Sequence, residues 1–129
     1  MIQKLKILPP TLRDKKRYIS FEITSQVSLG RDEVISLILD ASLYLYGAYG
    51  TGKSDLWVVK LWRCKPIKNA SEVITEHKMK GILRCRREEV DSVRAVLPTI
   101  TNFRGKSVVF HTLGISGTIK SAIKNFIKL

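Results

Sequence analysis

From residue 17 onward the hydrophobic positions switch repeatedly between a period of two and a helical period. Arg17 to Thr24 alternate, with Ile19, Phe21 and Ile23 on one side and Tyr18, Ser20, Glu22 and Thr24 on the other, the signature of a half-buried strand. Arg31-Asp32-Glu33 opens a run with Val34, Leu37, Ile38, Ala41 and Leu45 at helical spacing. Its two carboxylates stand in the first turn, where the helix dipole favours them. This helix is expected to end near Gly47, with Gly47, Gly50 and Gly52 forming a flexible turn into a second strand, Leu56 to Trp62, rich in β-branched and aromatic residues. Residues 64–79 are polar and contain Pro66; they read as a long hairpin connection, in which Ala70 to Glu76 have the pattern of a short helix. Gly81 to Arg86 is a third strand. Arg87-Glu88-Glu89 opens a second helix carrying Val90, Val93 and Leu97, and Pro98 kinks or ends it. Ser107 to Ile115 is a fourth strand, with Val109, His111, Leu113 and Ile115 alternating against Val108, Phe110 and Thr112. Ile119, Ala122, Ile123, Phe126 and Ile127 then mark an amphipathic terminal helix.

Strand, helix, strand, strand, helix, strand and one added helix is the order of an α+β fold, a split βαβ sandwich of the ferredoxin-like or RRM-like kind. Two helices are expected on one face of a four-stranded antiparallel sheet, leaving the other face to a ligand or to the terminal helix. On the third strand, Ile82, Arg84 and Arg86 share a side opposite Gly81, Leu83 and Cys85. If the second set is core, the arginines project from the open face near Tyr18 and Ser20. Trp57 and Trp62 lie five apart, which places them on opposite strand faces, one in the core and the other in need of a cover.

Charge narrows the class of partner. Across 129 residues, 23 Lys and Arg stand against 11 Asp and Glu, a net +12, while 44% of residues are hydrophobic, as in a folded protein rather than a basic tail. One domain is expected at this length: residues 1–16 as an extended basic arm stiffened by Pro9-Pro10, and residues 17–129 as the sandwich. Beyond Asp91 the chain has no acid, yet Arg94, Arg104, Lys106, Lys120, Lys124 and Lys128 follow. Such an excess on a compact body implies a polyanionic partner, nucleic acid or acidic membrane. No apolar stretch approaches the ~18 residues of a membrane span, and no signal-peptide core precedes Pro9, so a soluble cytoplasmic protein is expected. Cys64 and Cys85 have no metal-ligand spacing and read as free thiols.

Four features bear on chemistry. Gly47-Ala48-Tyr49-Gly50-Thr51-Gly52-Lys53-Ser54 satisfies the letters of a phosphate-cradling P-loop, but a strand must precede that loop and a helix follow it, and here the order is reversed. The run Arg13, Lys15, Lys16, Arg17 and Tyr18 abuts the first strand, which would present its charges from a fixed base with a ring beside them. Arg84 and Arg86 either fork onto phosphates or pair with Glu22 or Glu88. With no exposed aromatic on the third strand, shape and phosphate recognition of a structured RNA fits better than base stacking. Ser116-Gly117-Thr118, before the terminal helix, offers a cap and free amides for a phosphate, with Lys120 close behind. His77 and His111 have no acid or nucleophile at a catalytic spacing, so no catalytic residue and no metal or cofactor site is expected in this chain.

The arm Leu8-Pro9-Pro10-Thr11-Leu12-Arg13-Asp14-Lys15-Lys16-Arg17-Tyr18-Ile19, the Gly81-Ile82-Leu83-Arg84 strand with Val90, Val93 and Arg94, and the ending Leu113-Gly114-Ile115-Ser116-Gly117-Thr118-Ile119-Lys120 together resemble the archaeal ribonuclease P protein component 2 family. The resemblance covers nearly the whole chain; residues 64–79 depart from it, since the family joins these strands by a shorter turn. It implies a noncatalytic subunit that supports a catalytic RNA, with magnesium at that RNA, in removing the 5′ leader from precursor tRNA. It also implies ribonuclease P protein component 3 as partner in a two-plus-two heterotetramer. A structural, ribosome-associated RNA-binding protein is the alternative.

Overall fold

A computed structural model describes residues 15–128. Of the expected arm, residues 1–14, including Arg13, lie outside the described residues. The elements run β1 (Lys16–Ser25), α1 (Arg31–Ser54), β2 (Trp57–Arg63), β3 (Ile67–Lys68), β4 (Ile74–Arg86), α2 (Val90–Val96), β5 (Asn102–Phe103), β6 (Lys106–Ser116) and α3 (Ile119–Phe126). All pairings are antiparallel; the long strands stand in the order β2-β4-β1-β6, with β5 beside β6 and β3 beside β4.

The alternation in β1 divides the molecule. Ile19, Phe21 and Ile23 are fully buried against Val34 and Ile38 of α1, Val93 of α2, and Leu83, Cys85, Val108 and Phe110 of the flanking strands. The rings of Phe21 and Phe110 stack with centroids 5.9 Å apart. A second, smaller cluster occupies the opposite sheet face, where Ile82, Ala122 and Ile127 are buried and Tyr18, Val59, Trp62, Ile119 and Ile123 pack around them. The terminal helix therefore covers the face that the two other helices leave open. Each fully buried aliphatic side chain there contributes roughly 1.5–3 kcal/mol before entropy is subtracted.

Three local expectations are corrected. α1 reaches Gly47 but does not stop there: Gly47 takes φ 72°, a conformation that glycine adopts without strain, and the chain turns into a further helical stretch ending at Ser54. Hydroxyls hold this second stretch, Ser42 with Thr51 at 2.8 Å and Ser54 donating to the Gly50 carbonyl at 3.0 Å, while Tyr46 donates to the Ser92 carbonyl at 2.8 Å. The glycines are thus a kinked helix rather than a flexible turn. Second, β4 begins at Ile74, and residues 67–74 form a hairpin in place of a short helix. Asn69 decides this, because its side-chain oxygen accepts from the amides of Ser71 and Val73 at 2.9 and 3.0 Å, an alternative to helical bonding that asparagine favours.

Third, a bulge in β2 between Val58 and Lys60 shifts the register, so Trp57 pairs with Arg84 and Trp62 with Lys80. Both tryptophans consequently belong to the α3 side of the sheet, while Val58 and Leu61 pair with Leu83 and Gly81 on the core side. An odd separation becomes an even one when an intervening residue is left out of the ladder. The same device operates in β6, where Phe21 pairs with Thr112 and Ser20 with Gly114, leaving Leu113 extra. Beyond it Gly114 and Ser116 face α3.

The sheet has six strands rather than the expected four, β3 and β5 being short additions, while the expectations for the ends of α2 and α3 hold. Pro98 ends α2 in a short 3-10 turn, Leu97–Thr99. Arg104 and Gly105, at φ 50° and 80°, make the two-residue turn between β5 and β6, as a right-twisted hairpin requires. Thr118 caps α3, its hydroxyl accepting from the Ser121 amide at 3.1 Å. Among the described residues no helix is long and apolar enough to cross a membrane.

Gly114 is where α3 meets the sheet most closely, since a Cβ there would fall within the Phe126 ring. Gly114→Ala is expected to cost about 1–3 kcal/mol in urea unfolding, the range for overpacking, and appreciably less in a Phe126→Ala background. Additive effects would show that the ring is not what the glycine accommodates. The two thiols should also differ: Cys85 is fully buried, which pushes its thiol up to about 11, while Cys64 is only half-buried, and neither is in a disulfide. At pH 8 a thiol reagent should modify Cys64 in the native protein and Cys85 only after denaturation.

Candidate nucleic-acid interface

Register brings the chemistry-bearing residues to one end of the sheet. Lys16 pairs with Arg86, and Tyr18 lies between Arg84 on β4 and Ser116 on β6. Arg84 pairs in turn with Trp57 at the outer strand. A row Trp57, Arg84, Tyr18, Ser116 thus crosses the sheet, with Lys16 and Arg86 one step nearer its rim. Strand parity produces this, because paired residues in an antiparallel ladder point to the same face.

Among the described residues, α3 covers the middle of that face and packs on Tyr18, Val59, Trp62 and Ile82 rather than on the residues of the rim. Lys16, Arg84 and Arg86 are half-buried there. Their acidic neighbour is Asp55, in the left-handed conformation between α1 and β2, which accepts a hydrogen bond from Lys16. That bond and the charges of Lys16, Arg84 and Arg86 hold the Asp55 carboxyl below its usual range against the opposing effect of burial. Of the acids weighed as alternatives for the arginines, Glu22 pairs with Lys78 and Glu88 with Arg87, each at 3.4 Å, and the charge of Arg86 also acts on the Glu88 carboxyl. Arg84 Nε is buried with no hydrogen-bond partner among the described residues. An unmet buried donor of this kind costs about 1–3 kcal/mol, a cost that a phosphate oxygen would remove.

Not every expected residue joins the cluster. Arg17 pairs with Cys85, on the helix side of the sheet, and donates to the Lys16 carbonyl at 3.0 Å. Lys15 is exposed, and its carbonyl accepts from the Arg87 amide at 2.9 Å. Tyr18 packs with the cluster under α3, so its ring is only partly free. Ser116 is buried, 8% exposed, whereas Gly117, Thr118 and Lys120 are exposed at the start of α3. Thr118 and Lys120 line a shallow polar cleft with Ser121, Lys124 and Asn125.

Two residues of the rim have no signal in the sequence pattern. Asp55 is a lone acid before a strand, and Trp57 is assigned to a face only once the bulge is known. The P-loop letters are occupied structurally: Lys53 pairs with Glu89 at 3.3 Å, and Ser54 is buried with its hydroxyl on a helix carbonyl. A helix precedes these residues and a strand follows them, the reverse of a phosphate cradle. Among the described residues no group of three or more His, Cys, Asp or Glu is placed to hold a metal ion.

Comparison with known proteins assigns the chain. It is 46% identical over 125 residues to Ribonuclease P protein component 2 of Pyrococcus abyssi, covering 96% of this chain and 94% of that one. To the proteins of the same name from Methanothermobacter thermautotrophicus and Methanocaldococcus jannaschii it is 42% and 43% identical, covering 96% and 98% of this chain and 94% and 84% of theirs. The sequence profile of the Rpp14/Pop5 family matches residues 17–127, all of the sheet from Arg17 and all three helices, and the chain therefore belongs to the Rpp14/Pop5 family.

Proposed function

We propose that this protein is an RNA-binding subunit of ribonuclease P that supports the catalytic RNA in removing the 5′ leader from precursor tRNA. The observation that carries this reading is near full-length identity to relatives bearing that name, on a chain with a net charge of +12. A ribosome-associated role has no comparable support. Chemistry in this assignment belongs to the RNA and its magnesium, and the protein's part is to neutralise phosphates and hold the RNA in its working fold. Lys16, Arg84 and Arg86 supply the central contacts. Arg13, Lys15 and Arg17 extend them along the arm, Tyr18 and Ser116 line the row between, and Gly117, Thr118 and Lys120 offer a further phosphate seat.

The strand order β2-β4-β1-β6, with α1 and α2 as the two crossovers, supports a ferredoxin-like split βαβ sandwich extended by α3, with β3 and β5 as short additions. For the protein partner, component 3 in a two-plus-two heterotetramer, the fitting surface is the outer side of α1. There Tyr44 and Tyr49 are 91% and 85% exposed beside Leu43 and Leu45, an apolar patch of the sort that marks protein interfaces. Such a particle is expected in the cytoplasm.

Reconstitution tests the assignment. Leaving this chain out of an assembly of the RNA and the other proteins should sharply reduce precursor tRNA cleavage at moderate magnesium, and unchanged cleavage would sink the reading. Lys16→Ala and Arg84→Ala should each flatten the salt dependence of RNA binding by about 0.7–0.9 log units per log unit of salt, the change for one phosphate contact. A slope that stays put in both variants would mean that the rim is only a solubilising surface.

A further inference from the structure

Trp57 is the one residue of the cationic rim without an assigned role. It is 58% exposed at the start of the outer strand, in register with Arg84. Trp62, turned to the same face by the bulge, packs within the cluster under α3. The two tryptophans therefore divide the face, one inside the apolar cover and one beyond it. Trp57 borders an apolar pocket with Ile35, Ile38, Leu39, Leu56 and Val58, a setting that would suit a protein partner, but it also stands in register with Arg84, whose buried Nε has no hydrogen-bond partner among the described residues, with Lys16 and Arg86 on the neighbouring pair. Protein interfaces enrich tryptophan and arginine but deplete lysine, and here Lys16 stands beside the pair. A planar ring beside cations has the two parts that an unpaired nucleotide needs: a π-face for the base and a forked donor for its phosphate.

We propose that Trp57 and Arg84 together form a stacking site for a single unpaired nucleotide of RNA, the base on the indole and the adjoining phosphate on the guanidinium. The proposal rests on the RNA-binding reading and sharpens it, because phosphate contacts alone do not distinguish paired from unpaired RNA. The bulge in β2 is what allows it. β4 carries no exposed ring of its own, and the edge strand supplies one at the position in register with Arg84.

Binding of a short labelled uridine-rich single strand and of a blunt RNA duplex of equal length should be measured for the full chain and for Trp57→Ala and Trp57→Phe, each checked for an unchanged melting temperature. Trp57→Ala should weaken single-strand binding about tenfold while leaving the duplex within about twofold and the salt slope unchanged, because stacking is uncharged. Trp57→Phe should fall between. Equal losses on both RNAs, or no loss on the single strand, would overturn the proposal. So would a variant that keeps its RNA affinities but loses a protein partner, which would make the indole a protein contact. If the unaltered chain binds neither RNA, the RNA-binding reading itself fails and takes this site with it. Loss confined to the single strand supports the site.

Discussion

Ten consecutive pairs between β1 and β4, from Lys16 with Arg86 to Ser25 with His77, proceed without a register shift, and the placement of every cation on the rim depends on them. A slip of one residue would turn Arg84 and Arg86 toward the α1 side and Leu83 and Cys85 away from it. The burial of Ile19, Phe21 and Ile23 prevents that slip, since the same displacement would expose three side chains that are now within 1% of full burial. The apolar half of the alternation thus fixes the positions of the polar half. The clustering of cations at the rim is a by-product of the register that makes the core.

Much of this was legible in the residues. The alternation of β1 and the parity of Ile82, Arg84 and Arg86 predict the two faces correctly, and the spacing of Ile119, Ala122, Ile123 and Ile127 predicts a helix that needs an apolar surface beneath it. Parity fails where the ladder itself is irregular. Trp57 and Trp62 are assigned to opposite faces by counting, and one unpaired residue between Val58 and Lys60 brings them to the same face. Nothing in Val58-Val59-Lys60 announces the bulge, because a bulge on an edge strand is set by its partner's twist and by what packs over it. Gly47 was misleading in another way. Glycine punctuates helices, but here it redirects one, and what lies beyond it stays helical because hydroxyls at Ser42, Thr51 and Ser54 close the bonds. Asn69 reversed the reading of the connection by bonding locally to two amides.

The net charge is not one undivided surface. Arg31 donates to the Val58 carbonyl, Arg63 to the Leu29 carbonyl and the Ser28 hydroxyl, and Arg104 lies over the Phe103 ring. These guanidinium groups tie β2 to the start of α1 and cover the β5–β6 turn. They belong to the fold's own bonding, and the other cations of the described residues include those at the strand ends and along the exposed side of α3. By occupying the sheet face, α3 leaves to the proposed RNA site only this border. A sheet with an open face would instead offer a broad platform to a flexible strand.

The irregularity in β2 also bears on how such a protein changes over generations. An edge strand has a ladder on only one side, so gaining or losing a residue there disturbs a single neighbour, while the same event in β1 would break two. Deleting the extra residue would make the ladder regular while leaving Trp57 opposite Arg84, Trp62 opposite Lys80 and the interior of the sandwich intact. Lineages can therefore vary the ring offered beside Arg84 independently of the pairing that holds the guanidinium in place, which makes the outer strand the part of this surface most open to adaptation to a new RNA.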